Sequence, residues 1–214
     1  MTATLIPTPL PIKLQLEGIN WKTYQSLIQD LEGEPGKRLT YARGILEIMV
    51  PLPPHERYKE LIGRLIDVTT EETATEICSL GSCTWSREDL QIGVEPDKCY
   101  YIQNELAVRG KDKIDLTVDP PPDLIIEIDI ISSSLKRLTL YAALGVPEVW
   151  RYDGQTLTIY QLTDGRYQPQ AASAVLPLLG SNDILNFLQL SQTMGQTTLI
   201  RQFRQWVQQQ LPNS

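Results

Sequence analysis

The chain has 214 residues, 42% of them hydrophobic and 21% charged, which is enough for one domain with a proper core. No apolar run approaches the roughly 20 residues that span a bilayer. A net charge of −7 and an isoelectric point near 4.8 count against a constitutive nucleic-acid binder, which shows a basic face, but leave room for an enzyme whose clustered carboxylates attract a divalent cation.

In chain order, the prolines of "MTATLIPTPLPIKLQLEG" predict an extended arm over residues 1–20. With no basic stretch leading into an apolar one, no secretory signal is expected. "NWKTYQSLIQDLEG" predicts a helix, with Trp21, Tyr24, Leu27, Ile28 and Leu31 at three-and-four spacing and Gly33 as a stop. "RLTYARGILEIMVPLP" predicts two short strands around "RG". "PHERYKELIGRLIDVTTEE" predicts a helix with Tyr58, Leu61, Ile62 and Leu65 on one face and Pro54 in its first turn.

"EICSLGSCTWSRED" predicts a strand and a turn, and "GVEPDKCYYIQN" a strand opening on Pro96-Asp97. The cysteines Cys78, Cys83 and Cys99 make no CxxC and no pairable set. No structural zinc is therefore expected, and reduced thiols in a cytoplasmic protein are. A basic loop, "VRGKDKIDLTVDPPP", leads to a strand over 123–131, and the serines Ser132 to Ser134 are N-cap candidates for a helix "LKRLTLYAALG" that Gly145 closes. "VPEVWRYDG" predicts another strand, "QTLTIYQLTDGRYQPQ" a hairpin with "DG" at its tip, and "DILNFLQL" and "TTLIRQFRQWVQQQL" two closing helices. The mixture, with one strand–helix–strand unit at 123–152, predicts an α/β or α+β fold.

The stretch "PDLIIEIDIISSS" has a core strand's composition, yet carries Asp123, Glu127 and Asp129, all at odd positions. In an extended chain these share a face with Ile125 and Ile131, opposite Leu124, Ile126, Ile128 and Ile130. Positions 127 and 129 stand about 6–7 Å apart at a strand's rise. A buried carboxylate costs several kcal/mol unless it is compensated, and solvent exposure, a partner arginine or a hard divalent cation would each do so. Asp97, at the mouth of a separate strand, supplies a second acidic point on which two strands could converge.

A PD at the start of one strand, followed by an acidic motif on the next, resembles the PD-(D/E)XK nuclease superfamily. More narrowly, "RGILEIMVPLPPHERY", "EPDKCYYI", "PPPDLIIEIDIISSS" and "YAALGVPEVWRYDG", in that order, resemble a large bacterial family of small restriction-endonuclease-like proteins, over Trp21 to Gln170. The resemblance implies a restriction-endonuclease-like fold: a mixed central sheet flanked by helices, with an added C-terminal hairpin and helices. It divides the chain into the arm at 1–20, a domain at 21–190 and a C-terminal helical region at 191–214 packed on or extending from it.

The resemblance implies that Asp97 and Glu127 are metal ligands, for Mg2+ or Mn2+, and Asp129 is a candidate additional ligand, directly or through water. Asp129 falls where the superfamily carries lysine, and Arg137, with Lys136 beside it, stands in on the following helix. An arginine stays charged and cannot act as a general base, though it can hold a phosphate. Against these roles stand plainer ones: a turn hydrogen bond for Asp97, a structural ion pair between Glu127 and Arg137 or Lys136, and an exposed strand end for Asp129. Asp123 is expected to cap or turn rather than react. His55, the only histidine, either reaches the site or is held at its helix start. Glu56 and Glu60 are expected in solvent, and Glu47 is a secondary candidate near the site.

Arg109, Lys111 and Lys113 are either phosphate contacts or a solvated loop, and Trp150 and Tyr152 are expected as packing. The implied function is a divalent-metal-dependent nuclease that hydrolyses phosphodiester bonds of nucleic acid, DNA in the first instance. The alternatives are a catalytically degenerate binding or regulatory module on the same fold, and a structural homodimer whose carboxylates meet arginines. The implied partners are nucleic acid and, by analogy with enzymes that cut both strands, a second copy of the chain; no membrane association is implied.

Overall fold

The apolar run at 124–128 becomes the middle of a sheet, and the rest of the molecule is arranged around it. The computed structural model of the protein describes residues 13–31, 36–130 and 136–212; most of the predicted arm, Gly33, Ile131 and the three serines Ser132 to Ser134 lie outside the described residues.

The N-terminal half gives β1 (Lys13–Leu16), α1 (Trp21–Asp30), β2 (Arg38–Ala42), β3 (Ile45–Met49), α2 (Pro53–Glu72), β4 (Cys78–Gly81), β5 (Trp85–Arg87), β6 (Ile92–Val94) and β7 (Lys98–Tyr101). The short α3 (Glu105–Val108) and β8 (Leu124–Ile128) come next, followed by α4 (Arg137–Leu144), β9 (Glu148–Tyr152), β10 (Leu157–Thr163), β11 (Arg166–Gln170), α5 (Ser181–Leu190) and α6 (Gln196–Gln210). The strands form two sheets, an antiparallel one in the order β1-β3-β2-β6-β5 and a mixed one in the order β11-β10-β9-β8-β7-β4. In the mixed sheet β8 lies parallel to β9 and antiparallel to β7. This is the central sheet the sequence led us to expect, and the hairpin β10–β11 extends it on one side. The second sheet stands beside it.

The segment expected as a strand and a turn at 76–89 is two strands in different sheets: β4 pairs with β7, and β5 pairs with β6. The last residues of the expected arm are also a strand, β1, paired with β3.

The alternation along β8 places the core. Leu124, Ile126 and Ile128 pack into a cluster with Leu61, Ile62 and Leu65 of α2 and with apolar residues of α5 and α6. Ile125 faces the other way, into a cluster with Leu140, Tyr141 and Leu144 of α4 and with Trp85, Ile92 and Val94 of the second sheet. A third cluster, around Trp21, Tyr24, Leu39, Tyr41 and Leu46, closes α1 on the second sheet. Each fully buried aliphatic side chain of β8 contributes about 1.5–3 kcal/mol, which lets this strand tolerate buried carboxylates at its ends. α4 ends where Gly145 takes the left-handed conformation at φ 79°, as expected of a glycine in that position.

Asp123 opens β8 as a structural acid. Its carboxylate is fully buried and accepts from the backbone N–H of Ile102 (2.7 Å) and Asn104 (2.9 Å) and from Asn104 Nδ2 (2.6 Å). These bonds fasten the turn after β7 to the start of β8.

Candidate active site

The register between β7 and β8 pairs Lys98 with Ile126, so one step outward Asp97 stands opposite Glu127. The backbone N–H of Ile128 donates to Asp97 Oδ2 at 2.6 Å, which ties the aspartate to the carboxyl end of β8. Both carboxylates are buried, Asp97 fully and Glu127 to 5% exposure. The structure thus brings together the two acids that the sequence singled out, at the end of the strand where α4 begins.

Each of them faces an arginine. Arg137, the first residue of α4, donates from Nη1 to Glu127 Oε2 at 2.6 Å, while its Nη2 reaches Thr40 Oγ1 and the carbonyl of Glu95, both at 3.0 Å. One turn along the same helix face, Tyr141 donates its hydroxyl to Glu127 Oε1. Arg38, from β2 in the other sheet, pairs with Asp97 Oδ1 and donates to Glu56 Oε1 at 3.2 Å. The site therefore lies in the seam between the sheets, with two negative and two positive side chains at its centre.

His55, in the first turn of α2, is buried with Nε2 3.0 Å from Asp97 Oδ2 and Nδ1 3.4 Å from Glu56 Oε1. Burial, reinforced by the positive charge of Arg38, pushes the imidazole down to about 4.

Burial alone would lower Arg137, but the Glu127 carboxylate outweighs it and holds the guanidinium above its ordinary value. Burial, with the charge of Glu127, raises Tyr141, which stays a hydroxyl donor. Burial lowers Arg38, against the pull of Glu127, Glu56 and Glu95, and raises Glu95.

Asp129 stands apart from this pair. It lies just past the end of β8, and its Oδ2 accepts from Arg151 Nε (2.9 Å) and Nη2 (2.6 Å). Lys136 is exposed at the start of α4 and makes no ion pair with a described residue. Glu47 is buried opposite Thr40, meets Lys13 at 3.1 Å and adds to the negative charge felt by Arg137. Glu56 is partly exposed, and it binds Lys59 as well as Arg38. Glu60 pairs with Lys98.

The basic loop lies elsewhere. It follows α3, which leaves from the carboxyl end of β7, whereas Asp97 precedes that strand's first residue. The length of β7, about 13 Å, therefore lies between Asp97 and the strand end from which the loop is reached. There Arg109 is bound to Glu105 and Lys111 to Asp119 (2.5 Å). Trp150 and Tyr152 are core residues.

Arg38, Thr40, Glu95 and Tyr141 belong to the site and were not among the sequence candidates. The spacing of Arg137 and Tyr141, four apart on one helix, was the one local signal available. Arg38 and Thr40 arrive from another sheet, and nothing in their immediate sequence marks them.

A family described as "Putative restriction endonuclease" (Uma2) matches residues 21–195. A crystal structure of "a putative nuclease belonging to DUF820" from Anabaena variabilis ATCC 29413 is similar at a TM-score of 0.47 and 15% identity, over 69% of this chain and 89% of that one. No curated protein matches the chain in sequence. With the match spanning most of its length, the chain belongs to the Uma2 family.

Proposed function

We propose that the protein is a divalent-metal-dependent nuclease that hydrolyses phosphodiester bonds of nucleic acid, with DNA as its substrate. The observation that carries this reading is the opposed pair Asp97 and Glu127, buried at the carboxyl end of β8, in a chain of this family.

The donor chemistry fits a hard cation. Mg2+ takes one or two carboxylates and completes its octahedron with water. Among the described residues no three His, Cys, Asp or Glu side chains converge to hold a metal, and Asp129 is held by Arg151; the donor set of this reading is therefore Asp97 and Glu127 completed by water. When bound, such an ion polarises a phosphodiester oxygen and lowers the pKa of a neighbouring water.

The chain's own residues do the rest. Tyr141 and Arg137 fix both oxygens of Glu127. Arg137, permanently charged, offsets negative charge as it builds on the phosphate. Lys136, exposed beside it, adds a charge for the nucleic-acid backbone. Asp129 holds Arg151 at the rim in place of the superfamily's strand lysine. A dimer would present two such sites to the two strands of a duplex, and the free thiols of Cys78, Cys83 and Cys99 suit a reducing cytoplasm.

One observation favours a second reading, a nuclease fold retained as a binding module without turnover: both carboxylates already have arginine partners. Plasmid nicking in Mn2+ separates the two. The nuclease reading expects nicking that chelator stops and that Glu127→Ala abolishes. Nicking that persists in Glu127→Ala with chelator present rejects this site, and a wild-type chain that takes up no Mn2+ in calorimetry and does not nick supports the module.

A further inference from the structure

The two arginines are held differently. Arg137 is fixed by a carboxylate, a hydroxyl and a backbone carbonyl, all within 3.0 Å. Arg38 is held by Asp97 and by one 3.2 Å bond to Glu56, whose side chain is 40% exposed. Arg38 also lines a cleft of about 400 Å³ together with Glu56, Glu95, Lys37 and Lys59. Room therefore lies beside this guanidinium, with Glu56, to which it is already bonded, and Glu95 as carboxylates lining the cleft, whereas Arg137 does not line it.

At the site itself the charges already cancel, with Arg38 against Asp97 and Arg137 against Glu127. A divalent cation brought to Asp97 with Arg38 in place would meet a like charge in a buried setting, where repulsion is poorly screened. His55, both of whose ring nitrogens are buried without an aligned hydrogen-bond partner, leaves further polar capacity on the same carboxylate.

We propose that Arg38 is a resident counter-ion that gates the metal position: its guanidinium occupies the cation side of Asp97 in the ion-free state and withdraws into the cleft beside Glu56 and Glu95 when a divalent ion enters. This rests on the metal-dependent reading above. It makes the arginine pairs a resting state rather than a sign of lost chemistry. It also makes the ion's apparent affinity a difference between its own binding and the cost of moving Arg38.

The test is Mn2+ binding by titration calorimetry to wild type, Arg38→Gln and Asp97→Asn, together with phenylglyoxal modification of wild type mapped by mass spectrometry. Arg38→Gln is expected to bind Mn2+ at least about tenfold more tightly than wild type, which is about 1.4 kcal/mol, and Asp97→Asn to lose binding. In wild type, saturating Mn2+ is expected to make Arg38 reactive to phenylglyoxal while Arg137 stays protected.

Equal or weaker binding by folded Arg38→Gln, or unchanged Arg38 reactivity in Mn2+-saturated wild type, overturns the gate and leaves the metal site standing. No uptake by either wild type or Arg38→Gln overturns both the gate and the metal-dependent reading. Uptake by Arg38→Gln alone supports the gate. Should Arg38→Gln fail to fold, the modification pattern of wild type decides.

Discussion

His55 sits at 6% exposure with Arg38, Glu56, Lys59 and Asp97 facing it, and burial sets its ionisation. Its folded-state pKa, about 4, lies below the ordinary 6.5. Between those values the unfolded chain carries a proton that the folded chain does not. Stability therefore falls as pH drops through that window, by about 1.4 kcal/mol per pH unit for one such group, and the contribution is fully present above the ordinary value. The measurement is a difference, which isolates this group: denaturant unfolding of wild type and His55→Gln from pH 4 to pH 7. The wild-type curve should be the steeper, and parallel curves would refute the buried neutral imidazole. At this scale the sequence was informative for some residues and silent for others. Asp97 and Glu127 stood out because a strand motif surrounds each, and Arg137 through the family resemblance. Arg38 lies 59 residues from Asp97 in the chain, and an ion pair across two sheets leaves no local pattern to read.

Between residue and molecule, the elements followed their hydrophobic periods. Both long helices and the hairpins at Arg43-Gly44 and Asp164-Gly165 form where expected, with positive φ at all four turn residues. What periodicity could not show was the passage of the chain from one sheet to the other between β4 and β5, because a short strand looks the same whichever partner it takes. A comparable hidden constraint sits in β6. Gly93 lies between Tyr41 of β2 and Ser86 of β5, beneath the phenol of Tyr24. That ring stacks on Tyr41 at 4.7 Å and is buried completely. A Cβ at position 93 would overlap the phenol, and the stacked ring has nowhere to turn. Overpacking of a rigid core costs about 1–3 kcal/mol, occasionally more, and Gly93→Ala is expected at or above the upper end. Chemical denaturation gives the number and near-ultraviolet circular dichroism the disturbance of the aromatic cluster. A variant within about 0.5 kcal/mol of wild type, the range of neutral surface changes, would show that α1 can lift off the sheet at little cost.

Seen whole, the molecule depends on a segment that the family match, ending at residue 195, does not reach. α6 begins at Gln196, yet Leu199, Ile200, Phe203 and Val207 belong to the same core cluster as α2 and the even face of β8. Its polar side adds Arg204 on Glu71 and Glu72 and Gln208 on Glu72. These exposed pairs are screened by solvent and add little, so the apolar face decides. Phe203 is fully buried between Phe187 at 4.9 Å and Trp206 at 5.6 Å, and its loss leaves a cavity that costs about 3–5 kcal/mol. Four buried apolar side chains at about 1.5–3 kcal/mol each rival the whole stability of a typical domain, about 5–15 kcal/mol. A chain ending at residue 195 is therefore expected not to fold, Phe203→Ala to fold with reduced stability, and Arg204→Ala to be close to wild type. The coupling to chemistry runs through α2, whose last turn receives α6 and whose first turn carries His55. At 20 residues that helix spans about 30 Å, too far for a local cavity to disturb the seam where Asp97 and Glu127 meet. Phe203→Ala should lower the melting temperature while leaving Mn2+ uptake per folded molecule at the wild-type value. A truncated chain that folds, or a Phe203→Ala protein as stable as wild type, would mean that α6 rests on the core rather than completing it.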